Sequence, residues 1–448
     1  MSFIADKQTL EDLNLLGKFK QYSIFSLFNK VNTAGGEKLL TEMFQAPLTN
    51  QAAINRRSET FKYFQDKKLS FPFSNAQFSE MEGYLGNING SNFPAVLISL
   101  ATKKLSGLIL RGEQFQNIKS GLQHTATVLY GCKTFINTFE DKDDHPFYDE
   151  MLTAKNILND QKLDWLNSAA IQQHWPLSKI IKYDYLLKHI MRAELQQLLE
   201  IFYQLDVYIS VANFAQTQGF SYAQALPKEN NLFAAKDLMH PGIANAVGNP
   251  VSFHQNSNMI FLTGANMAGK STFMKAFGIN VYLAHMGFPV AAMQMAFSVK
   301  DGIYSSINVP DNLNMGYSHF YAEVLRVKKV AEEVSSGKSL VIIFDELFKG
   351  TNVKDAYDAT LAVTAAFSEY RDCLFIISTH IIEAGEVLQE QSNIQMLYLP
   401  TIMNGAIPTY PYLLQPGISS DRHGMMIIEN EGILELLSEQ TAYNKSKN

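Results

Sequence analysis

Long hydrophobic runs are absent from this sequence. The richest apolar stretch, residues 93–110, is interrupted by Lys103 and Lys104, so it falls short of the roughly 18 apolar residues that indicate a membrane-spanning helix. The first residues, Met1 to Asp6, meet a charge at once and lack the basic start, apolar middle and small-residue cleavage site of a signal peptide. We therefore expect a cytoplasmic protein without a membrane partner.

Cysteine and positive charge are also scarce. The only two cysteines, Cys132 and Cys373, cannot form a disulfide framework or a cysteine zinc set, and both are expected to be buried thiols. Lys and Arg total 37 against 43 Asp and Glu, which gives a net charge of -6. Proteins that hold DNA chiefly by neutralising phosphates usually carry a basic surplus. Charge therefore does not indicate nucleic acid, although local basic stripes or a ring-shaped dimer can still hold DNA.

The rest of the sequence has two textures, and the change comes near residues 220–235, a polar stretch rich in helix and strand breakers. We predict one domain over residues 1–230 and a second over residues 231–448. Upstream, apolar residues recur at helical spacing, so the first domain is predicted to be all helical. Residues 180–216 are predicted to form one extended helix that runs into the second domain. The other predicted helical segments are residues 9–16, 52–64, 93–139 and 147–157.

Downstream of the boundary, three short apolar runs are each followed at once by polar residues. These runs are residues 259–263, 340–344 and 374–378. Runs of this length are typical of buried parallel strands, and open α/β sheets bind their ligands at the carboxyl ends of such strands. The fold class is therefore predicted as α plus α/β, with a mostly parallel sheet in the second domain.

The first run leads into a predicted phosphate-binding loop. Gly264, Gly269, Lys270 and Ser271 fit the pattern Gly-x4-Gly-Lys-Ser/Thr, between a strand and a helix as that motif requires. The glycines let backbone N–H groups turn inward around phosphates, the lysine adds a point charge, and the serine hydroxyl is a ligand for Mg²⁺. The alternative is a glycine-rich turn with an exposed lysine. The predicted ATP-binding residues of the loop are Gly264, Ala265, Asn266, Met267, Ala268, Gly269, Lys270, Ser271 and Thr272.

Acidic and histidine side chains follow the other two runs. We predict that Asp345 ligates Mg²⁺ and that Glu346 acts as general base on the attacking water, because hydrolysis of a phosphoanhydride depends on positioning and charge neutralisation. His380 is predicted to sense or stabilise the terminal phosphate, so the predicted catalytic residues are Glu346, His380 and Lys270. The alternatives are an ordinary acidic turn and a capping or core histidine.

Together these motifs resemble the ATPase domain of the MutS mismatch-repair family, which is related to the ABC-type P-loop ATPases. Residues 263–272 resemble the family's T-G-P-N-M-G-G-K-S-T and differ from it at Ala265 and Ala268. The specific part of this match is Asn266-Met267. Further matches to the family are His240-Pro241, Asn249-Pro250, Asp345-Glu346-Leu347, Gly350-Thr351, Ser378-Thr379-His380, Pro416-Gly417 and His423-Gly424.

The resemblance also implies ligands and partners. Residues 311–323 resemble D-x-L-x-x-G-x-S-T-F-x-x-E, a segment that in relatives reaches across a dimer to the partner's nucleotide. Ser318 is therefore a candidate nucleotide contact in trans. A homodimer through the ATPase domain is implied, with ATP and Mg²⁺ as cofactors and DNA as a partner. The helical half resembles the MutS core and lever at Thr33, Gly35-Gly36, Pro47-Leu48, Arg56-Arg57, Leu205-Asp206-Val207 and Ser210.

Departures from the family pattern bear on the substrate. The core-like pattern begins by about residue 20, so we expect no N-terminal mismatch-reading domain, and residues 137–181 are too few for a full DNA clamp. Mismatch specificity is therefore not implied. Phe348-Lys349 replace the family's Gly-Arg, and Ala246 stands where relatives often place an aromatic residue under the adenine. The adenine is expected to stack elsewhere.

Two functions remain open. The first is a MutS-like ATPase that couples its nucleotide state to DNA binding, in mismatch repair or a related DNA transaction. Lys179, Lys182, Lys188 and Arg192 are candidate phosphate contacts for that function, or else a solvated helix face. The second is a nucleotide-gated protein-interaction module without a DNA role. A phosphotransferase is disfavoured because the paired acids favour water as the acceptor.

Overall fold

The computed structural model describes residues 2–17, 23–87, 98, 102, 113–139, 145–169, 175–307, 319–404, 407–419 and 432–433. The chain forms two compact units. The sheet unit combines Met1–Leu27, Ala46–Ser58 and Gly219–Asn448, and the helical unit combines Phe28–Gln45 and Glu59–Gln218. The sheet unit thus takes segments from both sides of the boundary predicted at residue 230, and the two-domain division itself stays a prediction.

Helices form the described secondary structure of the helical unit and also flank the strands of the sheet unit. In chain order they are α1 (Lys7–Asp12), α2 (Ile24–Phe28), α3 (Ala34–Gln45), α4 (Gln51–Lys67), α5 (Asn75–Gly86), α6 (Glu113–Ile136), α7 (Tyr148–Leu158), α8 (Leu166–Ala169), α9 (Leu177–Tyr185), α10 (Arg192–Gln218), α11 (Lys270–His285), α12 (His319–Ser335), α13 (Val353–Ser368) and α14 (Ile382–Leu388). A π-helical turn, Leu186–Ile190, separates α9 from α10.

An aromatic core holds the helical unit together. On α6 the buried residues Ile118, Leu122, Leu129 and Cys132 recur at spacings of three, four or seven and form one face of the helix. Phenylalanine rings from α6, from other helices and from the segment before α5 complete the core, and most of them meet edge to face or tilted. Each such ring pair contributes about 0.5–1.5 kcal/mol beyond its buried area. The central rings are Phe64, Phe73, Phe78, Phe135 and Phe202.

Both tryptophans of the chain lie in the helical unit. Trp165 stacks on Tyr183 of α9 with ring centroids 3.8 Å apart and an interplanar angle of 6°. Trp175, two residues before α9, meets the same tyrosine edge-on at 5.8 Å. The three-ring cluster therefore joins the segment before α9 to Tyr183 near the end of the helix.

The prediction of one long helix over residues 180–216 is wrong, because a π-helical turn interrupts it. The π turn after α9 places Lys188 and Asp184 inside the helical unit, with Nζ of Lys188 2.9 Å from Oδ1 of Asp184. The Tyr84 hydroxyl donates to the same oxygen at 2.7 Å, and the ammonium lies 3.9 Å from the Tyr84 ring centroid. Apolar spacing continues through this turn, so periodicity alone could not reveal it. The predicted phosphate contact of Lys188 is also wrong, since its side chain is only 1% exposed.

A second buried carboxylate joins α10 to the start of α3. Asp206 accepts hydrogen bonds from the Thr33 backbone N–H at 2.8 Å and the Thr33 hydroxyl at 2.7 Å, and from the Asn32 backbone N–H at 2.9 Å. These donors lie immediately before α3, and a carboxylate at a helix N-terminus is stabilised by unpaired N–H groups and by the helix dipole. A Cβ on Gly36 would come within 2.7 Å of the same carboxylate. This approach explains the Thr-x-x-Gly pattern at Thr33.

The main sheet of the sheet unit has seven strands in the order β1-β9-β10-β11-β6-β12-β15, all parallel except β15. The three apolar runs predicted to be strands are its central strands β10, β11 and β6, and they are buried along their whole length. The strands of this sheet are β1 (Ile4–Ala5), β6 (Met259–Gly264), β9 (Gly302–Ser306), β10 (Leu340–Phe344), β11 (Leu374–Ser378), β12 (Ile394–Leu399) and β15 (Gln415–Pro416). The predicted α plus α/β fold class is confirmed.

The N-terminal segment belongs to the sheet unit, which the prediction of an all-helical first domain missed. Strand β1 pairs in parallel with β9. Asp6 then caps α1 by accepting from the Thr9 backbone N–H at 3.1 Å, and its carboxylate also binds the Arg326 guanidinium of α12. A two-residue strand is too short to show the alternating pattern by which strands are recognised.

A smaller four-stranded sheet lies beside the first, in the order β3-β8-β4-β5. Its strands are β3 (Gln224–Leu226), β4 (Phe233–Leu238), β5 (Asn249–Phe253) and β8 (Gln294–Ser298), and two short pairs are formed by β2 (Ser221–Tyr222) with β7 (Pro289–Val290) and β13 (Ile402–Asn404) with β14 (Ile407–Thr409). Cys132 and Cys373 are buried as free thiols, as predicted. Within the described ranges, no helix is both long enough and apolar enough to pass through a bilayer.

Candidate functional site

The phosphate loop runs from the end of β6 to the start of α11. Gly264 has φ 144° and Gly269 has φ 101°, conformations that a side chain strongly disfavours. Space is restricted as well, because a Cβ on Gly264 would lie 2.9 Å from the Leu399 carbonyl oxygen and one on Gly269 would lie 2.9 Å from Cδ1 of Tyr412. The two glycines are therefore required by backbone angle and by close packing.

Lys270 lies inside the curve of this loop. Its side chain is 6% exposed, and its ammonium donates to the carbonyl oxygens of Gly264 at 2.8 Å and Ala265 at 3.2 Å. Burial lowers the pKa of Lys270, while the carboxylates of Asp345 and Glu346 act in the opposite direction. The ammonium is held by neutral acceptors that anionic phosphate oxygens can replace with stronger, charge-assisted bonds.

Ser271 and Asp345 meet at the carboxyl end of β10. The serine hydroxyl donates to Oδ2 of Asp345 at 2.5 Å, and the Ser378 hydroxyl donates to Oδ1 of the same carboxylate. A hydroxyl beside a carboxylate is a hard-oxygen donor set that suits Mg²⁺, which takes few protein ligands and keeps several waters. The described part of the chain holds no group of three or more His, Cys, Asp or Glu side chains arranged to bind a metal.

Glu346 is the next residue, and both of its carboxylate oxygens have partners. Nε2 of His380 lies 2.7 Å from Oε1, and Nζ of Lys349 lies 3.1 Å from Oε2. The hydrogen bond from His380 is the main reason that the pKa of Glu346 falls to about 2. A carboxylate that acidic remains ionised at neutral pH, which is the form that can orient an attacking water molecule.

The loop after Glu346 contains Phe348 and Lys349, which replace the Gly-Arg of the family pattern. Glu346 and Phe348 have φ of 54° and 61°, both in the left-handed region that favours glycine. Phe348 is nevertheless 4% exposed, and its ring packs against Phe320 with centroids 6.1 Å apart. The burial of its ring offsets the backbone cost at a position where the resembling family has glycine.

A cavity of about 410 Å³ opens beside the phosphate loop. Tyr412 stands at its edge with φ 59° and its side chain 45% exposed, against Gly269 of the loop. His240 lines the cavity too, and burial, assisted by the charge of Lys275, lowers the pKa of His240 to about 4, so its ring is neutral at pH 7. The remaining lining includes Ile243, Ala246, Val247, Asn249, Met267, Thr272 and Phe273.

No sequence pattern indicated a role for Tyr412. The nearest signal is the run Tyr410-Pro411-Tyr412, and its aromatic residues lie more than 130 residues beyond the loop they approach. Ala246 does line the cavity, as expected from its place in the sequence, but it offers no ring. Tyr412 is therefore a candidate for the residue on which the adenine is expected to stack in place of Ala246.

The predicted site residues fall at one edge of the main sheet. The structure brings together Lys270 with its loop carbonyls, Ser271 with Asp345, and Glu346 with His380. Asn266 and Met267 are exposed at the loop tip, and Thr272 lines the cavity. Ser318 lies outside the described residues, as do Asp311, Leu313, Gly316, His423 and Gly424. The roles assigned to these side chains stay predictions.

Comparisons with known proteins match two MutS domains to the chain. The family model described as MutS domain III matches residues 8–212, and that described as MutS domain V matches residues 260–446. DNA mismatch repair protein MutS of Streptococcus pyogenes serotype M5 (strain Manfredo) and that of serotype M3 (strain SSI-1) are each 25% identical to the chain over 245 residues. The alignments cover 53% of this chain and 28% of each relative. The chain therefore matches less than a third of the length of these relatives.

Proposed function

The chain belongs to the MutS family, and on that premise we propose that it binds ATP with Mg²⁺ and hydrolyses the ATP to ADP and phosphate. One observation carries the proposal. The phosphate loop, the Ser271–Asp345 pair and the Glu346–His380 pair converge at the carboxyl ends of the neighbouring strands β6, β11 and β10. Ligands of open α/β sheets bind at that edge.

Each side chain at this edge has a separate role in the proposed hydrolysis. The N–H groups of the loop and Lys270 bind the phosphates, and Lys270 exchanges its two carbonyl partners for them. Ser271 and Asp345 hold Mg²⁺, which supplies charge neutralisation on the phosphate oxygens. Glu346 orients the attacking water, and His380 holds the Glu346 carboxylate in place.

The adenine base enters the cavity between His240 and Tyr412. An aromatic ring at its edge and an apolar lining suit a flat base, since stacking on an aromatic side chain contributes about 1–3 kcal/mol per base. His240 is neutral there and brings no charge against the base. This arrangement supplies the stacking that Ala246 cannot.

The helical unit is proposed to respond to nucleotide by binding DNA, with two chains associating through their ATPase domains. The curated relatives are DNA mismatch repair proteins. Lys179, Lys182 and Arg192 are exposed on α9 and α10 and remain candidate phosphate contacts. The second candidate function is a nucleotide-gated protein-interaction module. The net charge of -6 and the burial of Lys188, which removes one of four predicted phosphate contacts, favour that alternative.

ATP binding and phosphate release test the first part of the proposal. We expect titration calorimetry with Mg²⁺ and ATP to show binding to the wild-type chain, and a phosphate assay to show turnover. In Lys270→Met the charge that faces the phosphates is gone, so binding weakens at least about tenfold. A wild-type chain that binds no ATP at millimolar concentration would end the proposal.

Fluorescence anisotropy with labelled duplex, mismatched and branched DNA tests the DNA part. Each lost phosphate contact reduces the salt dependence of log K by about one unit, so a triple variant of Lys179, Lys182 and Arg192 to Gln is expected to lower the slope by up to about three. The matched control changes three exposed lysines of the sheet unit, Lys7, Lys328 and Lys354, to Gln. If the wild type shows no salt-sensitive binding in any nucleotide state, the protein-interaction module is the better account.

A further inference from the structure

We propose that Asn249 is a positioning residue for the nucleotide base, because its side-chain amide fixes the backbone that carries the Tyr412 ring. This inference rests on the proposed function, in which the cavity beside the phosphate loop receives adenine. Asn249 is the first residue of β5, and it lies on a different sheet from the strands that carry the phosphate loop and the acids. Its role is therefore separate from theirs.

The amide of Asn249 bonds to the segment around Tyr412 from both of its ends. Nδ2 donates to the Tyr412 carbonyl oxygen at 2.9 Å, and Oδ1 accepts from the Leu414 backbone N–H at 2.7 Å. A primary amide that meets a donor and an acceptor two residues apart acts as a neighbouring strand would. Asn249 is 4% exposed, so these bonds are protected from competing water.

The same amide also contacts a second residue of the cavity lining. Nδ2 of Asn249 lies 3.5 Å from the Val247 carbonyl oxygen, a long contact compared with the other two. Val247 and Tyr412 both line the cavity. One buried side chain therefore contacts two of the residues that line the space proposed for the base.

Hydrophobic burial does not hold this stretch. Tyr412 and Leu413 are 45% and 47% exposed. Tyr412 also has φ 59°, in the left-handed region that costs a residue with a side chain about 1–2 kcal/mol. Regular pairing with β12 begins only at Gln415 and Pro416. The Asn249 amide is thus the anchor that precedes this pairing and offsets the backbone cost at Tyr412.

Through Tyr412, the amide acts on the base rather than on the phosphates. The Tyr412 ring lies against Gly269, and it is one wall of the proposed base cavity. Lys270, Ser271 and Asp345, which are proposed to bind the phosphates and Mg²⁺, take their hydrogen bonds from other partners. Loss of the amide should weaken the binding of a whole nucleotide and leave the binding of a bare polyphosphate unchanged.

The test compares two ligands, ATP and inorganic tripolyphosphate, each with Mg²⁺ and each measured by titration calorimetry. In Asn249→Ala we expect the dissociation constant for ATP to rise about tenfold or more, because the stacking ring is no longer fixed. The constant for tripolyphosphate should stay within about twofold. KM for ATP should rise by a similar factor while kcat changes little, as expected when binding is lost from ground state and transition state alike.

The matched control is Asn55→Ala. The Asn55 amide makes the same kind of two-ended contact, donating to the Ala225 carbonyl oxygen at 3.0 Å and accepting from the Ala225 N–H at 2.9 Å, but it does not line the cavity. We expect that variant to bind both ligands as the wild type does. Tyr412→Ala should reproduce the loss seen in Asn249→Ala, and the double variant should lose little more than either single variant, since both remove the same ring contact.

Two results would overturn the inference. One is ATP binding in Asn249→Ala equal to the wild type, and the other is an equal loss for ATP and tripolyphosphate, which would mean that the amide supports the phosphate loop in general. If Asn249→Ala does not fold, Asn249→Asp keeps the acceptor for Leu414 and loses the donor to Tyr412, so it must show the same split between ligands. A wild-type chain that binds tripolyphosphate but not ATP would instead overturn the proposed nucleotide function itself.

Discussion

The Asp184–Lys188 pair of the helical unit is sealed from water, whereas the Glu346–His380 pair at the edge of the main sheet is partly open and can exchange its partners for a ligand. Asp184 and Lys188 are at most 1% exposed and bond to each other and to Tyr84. At the sheet edge, Glu346 is 27% exposed and pairs with His380, which is 41% exposed.

The difference separates two uses of a charge. A buried ion pair contributes little net stability as a pair, but removing one partner leaves the other charge unpaired in a low-dielectric interior. A half-exposed pair at a strand end costs little to break, so its charges are free to meet a substrate. Substitutions in the buried Asp184–Lys188 pair should therefore lower the free energy of unfolding. Substitutions in the Glu346–His380 pair should instead lower turnover.

The largest expected effect is on stability. Asp184→Ala leaves the Lys188 ammonium buried without its carboxylate, and we expect the free energy of unfolding to fall by about 3–5 kcal/mol. Urea unfolding followed by circular dichroism measures it. The control is the double variant Asp184→Leu with Lys188→Met, which removes both charges and should recover most of the loss. A single variant within about 1 kcal/mol of the wild type would contradict the buried pair.

Turnover should show the next largest effect, at the sheet edge. In Glu346→Gln the neutral amide no longer orients water as a carboxylate does, so kcat should fall at least about a hundredfold, the usual contribution of such a group. ATP binding should be retained, and the free energy of unfolding should fall by less than in Asp184→Ala, because the partners of Glu346 are partly exposed. A phosphate-release assay decides the matter, because unchanged turnover would remove the assignment of Glu346.

A smaller effect on the free energy of unfolding is expected from a buried histidine of the sheet unit. It tests whether the sheet unit also contains polar groups that are sealed from water. His285 is fully buried and donates from Nδ1 to the Leu48 carbonyl oxygen at 2.9 Å. Burial lowers the pKa of His285 from 6.5 to about 4. The folded chain therefore keeps His285 neutral between pH 6.5 and 4, while the unfolded chain takes up a proton, so stability falls as pH falls through this window.

Between pH 7.5 and pH 5.5, His285 alone should lower the free energy of unfolding by about 1 kcal/mol. Urea unfolding at the two pH values measures the loss. His285→Gln provides the comparison, since glutamine does not titrate and its difference between the two pH values should be smaller by that amount. Equal pH dependence in the two proteins would show that His285 does not carry it.

Lys349→Ala should have the smallest effect. Its ammonium is 3.1 Å from Glu346, but the side chain is 58% exposed, and exposed ion pairs contribute about 0.2–1 kcal/mol. Because His380 still holds the other oxygen of Glu346, kcat should change less than about fivefold. Steady-state turnover of Lys349→Ala beside Lys349→Arg checks this point. A fall as large as that of Glu346→Gln would place Lys349 among the groups essential for turnover.

The sequence predicted the parts of the molecule in which local pattern and tertiary role agree. The strands β10 and β11 and the loop after β6 were found from their residues alone, because a buried parallel strand is apolar along its length and the glycines have a fixed backbone role. The meeting of Ser271 with Asp345 and of Glu346 with His380 follows from the parallel order of their strands.

Other parts depend on contacts between distant residues, and no local pattern reveals them. Strand β1 exists because β9 offers it an edge. The π turn before α10 accommodates the Lys188–Asp184 pair, yet apolar spacing runs through it unchanged. Tyr412 reaches the phosphate loop because Asn249 and the β12–β15 pairing hold the segment from Tyr412 to Pro416 against the sheet unit.

The three-ring cluster around α9 has a practical consequence. Trp165 and Trp175 are the only tryptophans of the chain, and both touch Tyr183. The tryptophan emission of this protein, excited selectively, therefore comes from the helical unit alone, although the nucleotide site is proposed for the other unit. An emission change on adding ATP would then be an unlabelled optical signal that nucleotide binding has reached α9.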